Sequence, residues 1–135
     1  MVLLIDANIL LDVLQNREPH VRNSSIIWKF CETGKVRGVV STLTFANIVY
    51  ILRKELTPDK VEQIYKTLSL IFDFVEFSPS DLSKAASMKW DDFEDAVQSA
   101  LAEKIHANFI VTRNIRDFSN SKIMALTPTE CIARM

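Results

Sequence analysis

The sequence predicts an α/β fold, a three-layer α/β/α sandwich with helices on both faces of a parallel sheet of four to five strands. Three observations predict it. Short unbroken apolar runs at 2–5, 38–40 and 109–111 have the length and character of strands buried on both faces. Between them, apolar residues recur at helical spacing. Strands and helices alternate along the chain, as a parallel sheet joined by crossover helices requires.

The first strand, Val2-Leu3-Leu4-Ile5, ends at Asp6, and open α/β sheets place their ligand crevices at the carboxyl ends of strands. An Asp there equally suits the N-cap of the next helix, whose face carries Ile9, Leu10, Val13 and Leu14. That helix should run out near Gln15-Asn16-Arg17, because Pro19 opposes continuation. A second helix over about 21–33 carries Ile26, Ile27, Phe30 and Cys31, with Gly34 as its stop. The second strand is 38–41. A third helix over 42–56 aligns Phe45, Ile48, Val49 and Leu52.

Thr57 caps the next helix, about 58–72, with Pro58 at its first position. Its stripe of Val61, Ile64, Tyr65, Leu68, Ile71 and Phe72 broadens at Leu70, which points to deep burial or to a partner surface. A strand follows at 74–77, then a turn at 78–80 and a short helix over 81–88. The clearest pattern is the helix over 91–106. There Phe93, Ala96, Val97, Ala100, Leu101 and Ile105 form the apolar stripe, and Asp92, Asp95 and Ser99 lie along an adjacent edge. A strand at 108–112 leads into Arg113-Asn114-Ile115-Arg116-Asp117-Phe118. The last strand is 123–125, and Thr127 to Glu130 opens a terminal helix with a capping box. No repeat, linker or low-complexity tract interrupts the chain, so one domain is expected over residues 1–135.

Composition removes several classes of chemistry. The only two glycines, Gly34 and Gly38, cannot build a dinucleotide-binding turn, a Walker loop or a nucleophile elbow. With only His20 and His106, a histidine-rich metal site is excluded, and the isolated Cys31 and Cys131 read as small buried hydrophobes. No apolar run approaches the ~20 residues that span a bilayer. No basic leader precedes an apolar stretch, so a cytoplasmic location is expected. A net charge of −1 argues against binding nucleic acid through bulk positive charge, although Lys84, Lys89, Arg113 and Arg116 offer a local basic rim.

Three acidic stations remain: Asp6, the cluster Asp92-Phe93-Glu94-Asp95, and Asp117. Asp92 and Asp95 also suit a helix N-terminus, where the helix dipole favours acids, and Asp117 also suits a turn cap. If the carboxylates converge, they repel one another, and a hard divalent ion between them relieves the repulsion. Such an ion activates water and polarises a phosphodiester.

The segments D-A-N at 6–8, S-T-L-T-F-A-N at 41–47, D-F-E-D-A at 92–96 and V-T-R-N-I-R-D-F at 111–118 resemble the PIN domain family. Within it the chain is most similar to small stand-alone members, including the VapC-type toxins of toxin–antitoxin pairs. The resemblance implies a PIN-like sheet and a ribonuclease dependent on Mg2+ or Mn2+. It further implies products with a 5′-phosphate and a 3′-hydroxyl, a homodimer, and inhibition by a cognate antitoxin. Carried over residue by residue, Asp6, Asp95 and Asp117 are the metal ligands. Asp92 is an additional acid, Thr112 the hydroxyl of the last motif, and Asn114 its neighbouring amide. The family's second acid, a Glu after the S-x-x-T turn, falls on Asn47. An amide there can orient a ligand but removes one negative charge, which either weakens the site or is compensated by Asp92 or Glu94. An antitoxin would pack on the helices within 43–72.

Two other readings compete. A PIN-like domain without catalysis would serve as a protein- or RNA-binding module, with Asn47 as its main support. An aspartyl phosphotransferase with Asp6 as nucleophile ranks lower, because Asn8 stands where such enzymes carry a second Asp.

Overall fold

The computed structural model describes all 135 residues. Five strands form one parallel sheet: β1 (Val2–Ile5), β2 (Arg37–Ser41), β3 (Asp73–Val75), β4 (Phe109–Val111) and β5 (Ala125–Leu126), in the order β3-β2-β1-β4-β5. Leu4 pairs with Val39 on one side and Ile110 on the other, so β1 is the central strand. The helices are α1 (Ala7–Leu14), α2 (Val21–Glu32), α3 (Thr42–Ile51), α4 (Pro58–Ile71), α5 (Pro79–Met88), α6 (Phe93–Lys104) and α7 (Pro128–Ala133). A short 3-10 helix, Ile115–Phe118, follows β4.

Side chains alternate across the sheet, and the core divides accordingly. Leu3, Ile5 and Val40 join Ile9, Leu10, Ile27, Ile48 and Leu68 on one face. Leu4, Val39 and Ile110 join Ala85, Val97 and Leu101 on the other. Both faces are therefore covered, as the continuous apolar runs demanded. Gly38 permits the tightest approach. A Cβ there would lie 2.5 Å from Cys31 Sγ and 2.8 Å from the Phe72 ring, so glycine lets α2 settle on β2. Both cysteines are free and buried, and burial lifts the Cys31 thiol to about 12.

Three boundaries and one burial assignment differ most from the sequence reading. Helix α3 stops at Ile51, and residues 52–55 tighten into a turn with Arg53 N–H and Glu55 N–H bonded three residues back. Pro58 disfavours helical backbone at Thr57, so the chain must leave the helix before that point. Strand β3 ends at Val75 because its partner ends there too, Ser41 pairing with Val75. Strand β5 starts later than expected, since only Ala125 and Leu126 find partners on the three-residue β4. Phe93, assigned to the buried stripe of α6, is 44% exposed on the first turn, whereas Ser99 is fully buried and shares a hydrogen bond with Ser121 at 2.7 Å. No helix is long and apolar enough to cross a membrane.

Candidate active site at the strand-order switch

Successive strands run outward from β1 in one direction through β2 and β3, then in the other through β4 and β5. The crevice between β1 and β4 is therefore the switch point, where α/β sheets bind ligands beyond their carboxyl ends. Asp6 and Thr112 leave those two strands side by side. Asp6 N–H donates to Val111 O at 3.0 Å, and Thr112 Oγ1 donates to Asp6 Oδ2 at 2.8 Å. Asp6 is also the N-cap of α1, its Oδ1 accepting from Ala7 N–H at 2.8 Å. The cap and the crevice carboxylate are thus one residue.

The two motifs are laced together by Asn8, whose Nδ2 reaches Asp6 Oδ2 at 3.2 Å and Thr112 Oγ1 at 3.3 Å. Its Oδ1 accepts from Arg113 N–H at 3.2 Å, and Thr112 Oγ1 accepts from Asn114 N–H at 3.1 Å. Below this layer lies Asp12, fully buried. Its Oδ2 accepts from Ser24 Oγ at 2.8 Å and Arg113 Nε at 2.9 Å, while Oδ1 has no partner. Arg113 is therefore a strut of the loop after β4 and not part of a basic rim. Lys84 is likewise held elsewhere, 3.1 Å from Glu103 on α6.

Helix α6 leads into β4 and so begins at the same sheet edge, which brings its first-turn acids to the crevice. Asp92 is its N-cap, accepting from Asp95 N–H at 3.0 Å. Asp92, Asp95 and Asp117 line a cleft of about 570 Å³, with Lys89, Trp90 and Arg116 on the same walls. Asp117 stands exposed in the 3-10 turn, and Asn114 turns its side chain to solvent just before it.

The electrostatics show that these acids share one space. Desolvation and the charges of Asp92, Asp6, Asp117 and Glu94 push Asp95 up to about 7. Burial raises Asp6 against the opposing hydrogen bonds of Thr112, Ala7 and Gln98, and Asp117 adds to the rise. Glu94 is exposed at its edge, yet desolvation followed by the charges of Asp6 and Asp92 raises it also, while Asn47 pulls it down by hydrogen bonding. Asn47 itself is half-buried on α3.

No three His, Cys, Asp or Glu side chains stand close enough to hold an ion by direct contact alone. The donor set nevertheless fits a hydrated hard cation. It is all oxygen, it is electrostatically overloaded, and Mg2+ commonly takes one or two carboxylates while keeping several waters. Asp6, Asp95 and Asp117 are the residues able to hold it.

Sequence reasoning noted Asn8 only as part of a motif and passed over Asp12 and Gln98. Asp12 is the lone acid in the otherwise apolar helix of residues 9–14, which is the mark of a buried, paired charge. Gln98, 1% exposed, donates from Nε2 to Thr44 Oγ1 at 2.9 Å and leaves Oε1 buried without a partner. A polar amide amid the buried residues of α6 was its only visible sign.

A profile of the PIN domain matches residues 2–116. Among solved structures, a toxin–antitoxin complex from Klebsiella pneumoniae is 21% identical with a TM-score of 0.70, covering 93% of this chain and 96% of that one. VapBC2 from Rickettsia felis, bound to a DNA fragment from its promoter, is 15% identical with a TM-score of 0.66, covering 94% and 98%. VapC20 of Mycobacterium tuberculosis, described as a sarcin–ricin loop cleaving toxin, is 11% identical with a TM-score of 0.64, covering 80% and 86%. No curated protein matches the chain. The profile begins in β1, takes in every acid around the cleft except Asp117, and ends at the residue before it, and with the shared fold it establishes that this chain belongs to the PIN domain family.

Proposed function

We propose that this protein is an Mg2+- or Mn2+-dependent endoribonuclease acting as the toxin of a toxin–antitoxin pair. The observation that carries the reading is the cleft at the switch point of the sheet, lined by Asp92, Asp95 and Asp117, with Asp6 at the carboxyl end of β1. Asp6, Asp95 and Asp117 would hold the ion. When bound, the ion would lower the pKa of water and offset charge building on the phosphodiester. Thr112 and Asn8 fix the Asp6 carboxylate through the hydrogen bonds they donate to Oδ2. Asp92 assists by holding the first turn of α6, and with it Asp95, through the hydrogen bond it accepts from Asp95 N–H. Asn47 and Asn114 would orient water or substrate. Lys89 and Arg116 give the cleft wall its positive charge toward an RNA backbone.

The neighbours described as toxin–antitoxin complexes support an antitoxin partner. The surface that suits it runs along α3 and α4, where Tyr50, Ile51, Tyr65 and Leu70 are 49–88% exposed. The same apolar surface suits assembly as a homodimer.

Incubation with single-stranded RNA and Mg2+ or Mn2+, with and without chelator, tests the nuclease. Cleavage should need the ion and vanish in Asp6→Asn. Cleavage that survives chelator or persists in that variant overturns the reading. Asn47 favours one second reading, a binding module without turnover. That reading expects no heat on titrating Mn2+ while partner binding persists.

A further inference from the structure

We propose that Trp90 is a platform for one unpaired nucleobase of the RNA, seated beside the acids of the cleft. The inference deepens the nuclease reading by naming the part of the substrate that the cleft grips, and it rests on RNA being that substrate. Met88 and Trp90 are the two apolar residues on the cleft walls, and every other lining residue is polar or charged. A large aromatic ring in such a wall suits a nucleotide, whose phosphate is charged and whose base is flat with apolar faces. The volume of about 570 Å³ lies in the ordinary range for small-ligand sites.

Trp90 is half-buried, so part of its indole stays open to solvent. Phe118, 3% exposed, meets it in an edge-to-face contact, with ring centroids 6.3 Å apart and planes at 70°. Such a contact takes up at most one face of the indole and leaves the other for a second ring. Phe118 directly follows Asp117 in the 3-10 turn, so the platform is braced on the turn that carries that acid. Lys89 has left-handed backbone, φ +56°, which is uncommon for a residue with a side chain. It ends α5 and turns the chain, so that Trp90 and then Asp92 arrive on the cleft wall. A base stacked on the indole leaves its sugar and phosphate in the same cleft, with Lys89 and Arg116 on its walls to meet the negative charge. Stacking of this kind demands no particular base, since each has a π face, but it demands one that is not already stacked in a duplex. The platform therefore selects single strands and loops and not a sequence.

The test uses the full-length Trp28→Phe protein as parent. Trp28 packs on Phe72 with the core on the other face of the sheet, so its replacement leaves Trp90 as the one tryptophan. Ca2+ takes the place of Mg2+ to offset the charge of the acids, and denaturing gels check that the RNA stays whole. Single-stranded RNA should quench the Trp90 emission saturably. A duplex of the same sequence, or a strand of the same length without bases, should not. Trp90→Leu keeps an apolar side chain against Phe118 but lacks the ring. It should weaken binding of fluorescently labelled RNA about tenfold or more in anisotropy titrations, within the range of one lost base–aromatic stack. Trp90→Phe, which keeps a ring, should stay within about fivefold of the parent. Circular dichroism confirms each variant's fold. Quenching by the duplex or by the strand without bases overturns the platform, as does Trp90→Leu binding RNA as tightly as the parent. If RNA binds the parent without changing the Trp90 emission, the platform falls and the nuclease reading stands on its own cleavage assay. If RNA binds and quenches but is never cut in Mg2+ or Mn2+, the platform stands and the nuclease reading falls. If the parent binds no RNA, both fall.

Discussion

Asp95→Asn should stabilise the metal-free protein, and only above acidic pH. The Asp95 carboxyl is raised from its ordinary 3.8 to about 7 by desolvation and by Asp92, Asp6, Asp117 and Glu94. An acid whose pKa rises on folding binds its proton more tightly in the folded state. Below pH 4 it is protonated in both states and has no effect. Stability then falls as pH rises from 4 toward 7, and the full penalty persists above 7. A rise of this size nominally corresponds to about 4 kcal/mol at about 1.36 kcal/mol per tenfold in proton affinity. Water on the open side of the cleft screens the repulsion, which leaves about 1–2 kcal/mol to be recovered by the neutral amide. For a chain of this size that is roughly 3–8 °C in melting temperature. The assay is thermal unfolding in chelator at pH 4.5, 6 and 8. The gain should be small at 4.5 and largest at 8, and should shrink or reverse when Mg2+ is added, because the cation stabilises only a site that can hold it. A difference that is flat across pH, or a loss of stability at pH 8, would refute the idea that these carboxylates crowd one another.

Thr112→Val keeps the shape of the residue but removes the donor to Asp6 Oδ2, and should destabilise by about 1–3 kcal/mol in urea unfolding and strongly reduce RNA cleavage. Thr112→Ser, which keeps the hydroxyl, should retain most of both. Asp12→Ala strands Arg113 Nε and Ser24 Oγ and should cost about 2–4 kcal/mol by the same measurement, below the loss for a fully buried pair because Arg113 is 25% exposed. Gly38→Ala drives a methyl into Cys31 Sγ and the Phe72 ring and should destabilise by about 1–3 kcal/mol while leaving Mn2+ affinity unchanged, since it lies under α2 and away from the cleft.

The fold was legible because each strand that matters is an uninterrupted apolar run and each helix carries a stripe. What was not legible were the ends, and these depend on partners. Nothing within Phe74 to Phe77 says where pairing stops; the end of β2 at Ser41 does. Nothing in Met124 or Ala125 shows that the paired register on the short β4 begins only at Ala125. The exposure of Phe93 is no more legible, since its helical phase fits the stripe and yet it is exposed on the first turn of α6.

The site divides along the same line between local and long-range information. Asp6, Asp95 and Asp117 could be read from the chain because each stands at the end of an element whose direction a parallel sheet dictates. The groups that hold them could not, because their partners lie far off in sequence: Asn8 bonds to Thr112, Asp12 to Arg113, and Gln98 to Thr44. The departure at position 47 shows why this matters for function. Read along the sequence, Asn47 is a loss, one carboxylate fewer in a motif that needs several. Read across the sheet edge, the start of α6 carries Asp92 and Glu94 beside the Asp95 that the motif counts. A metal centre is constrained by the total charge and reach of its donors and is indifferent to which helix supplies them. A substitution that would disable one family member can therefore leave another intact, provided another acid at the start of α6, Asp92 or Glu94, supplies the missing charge.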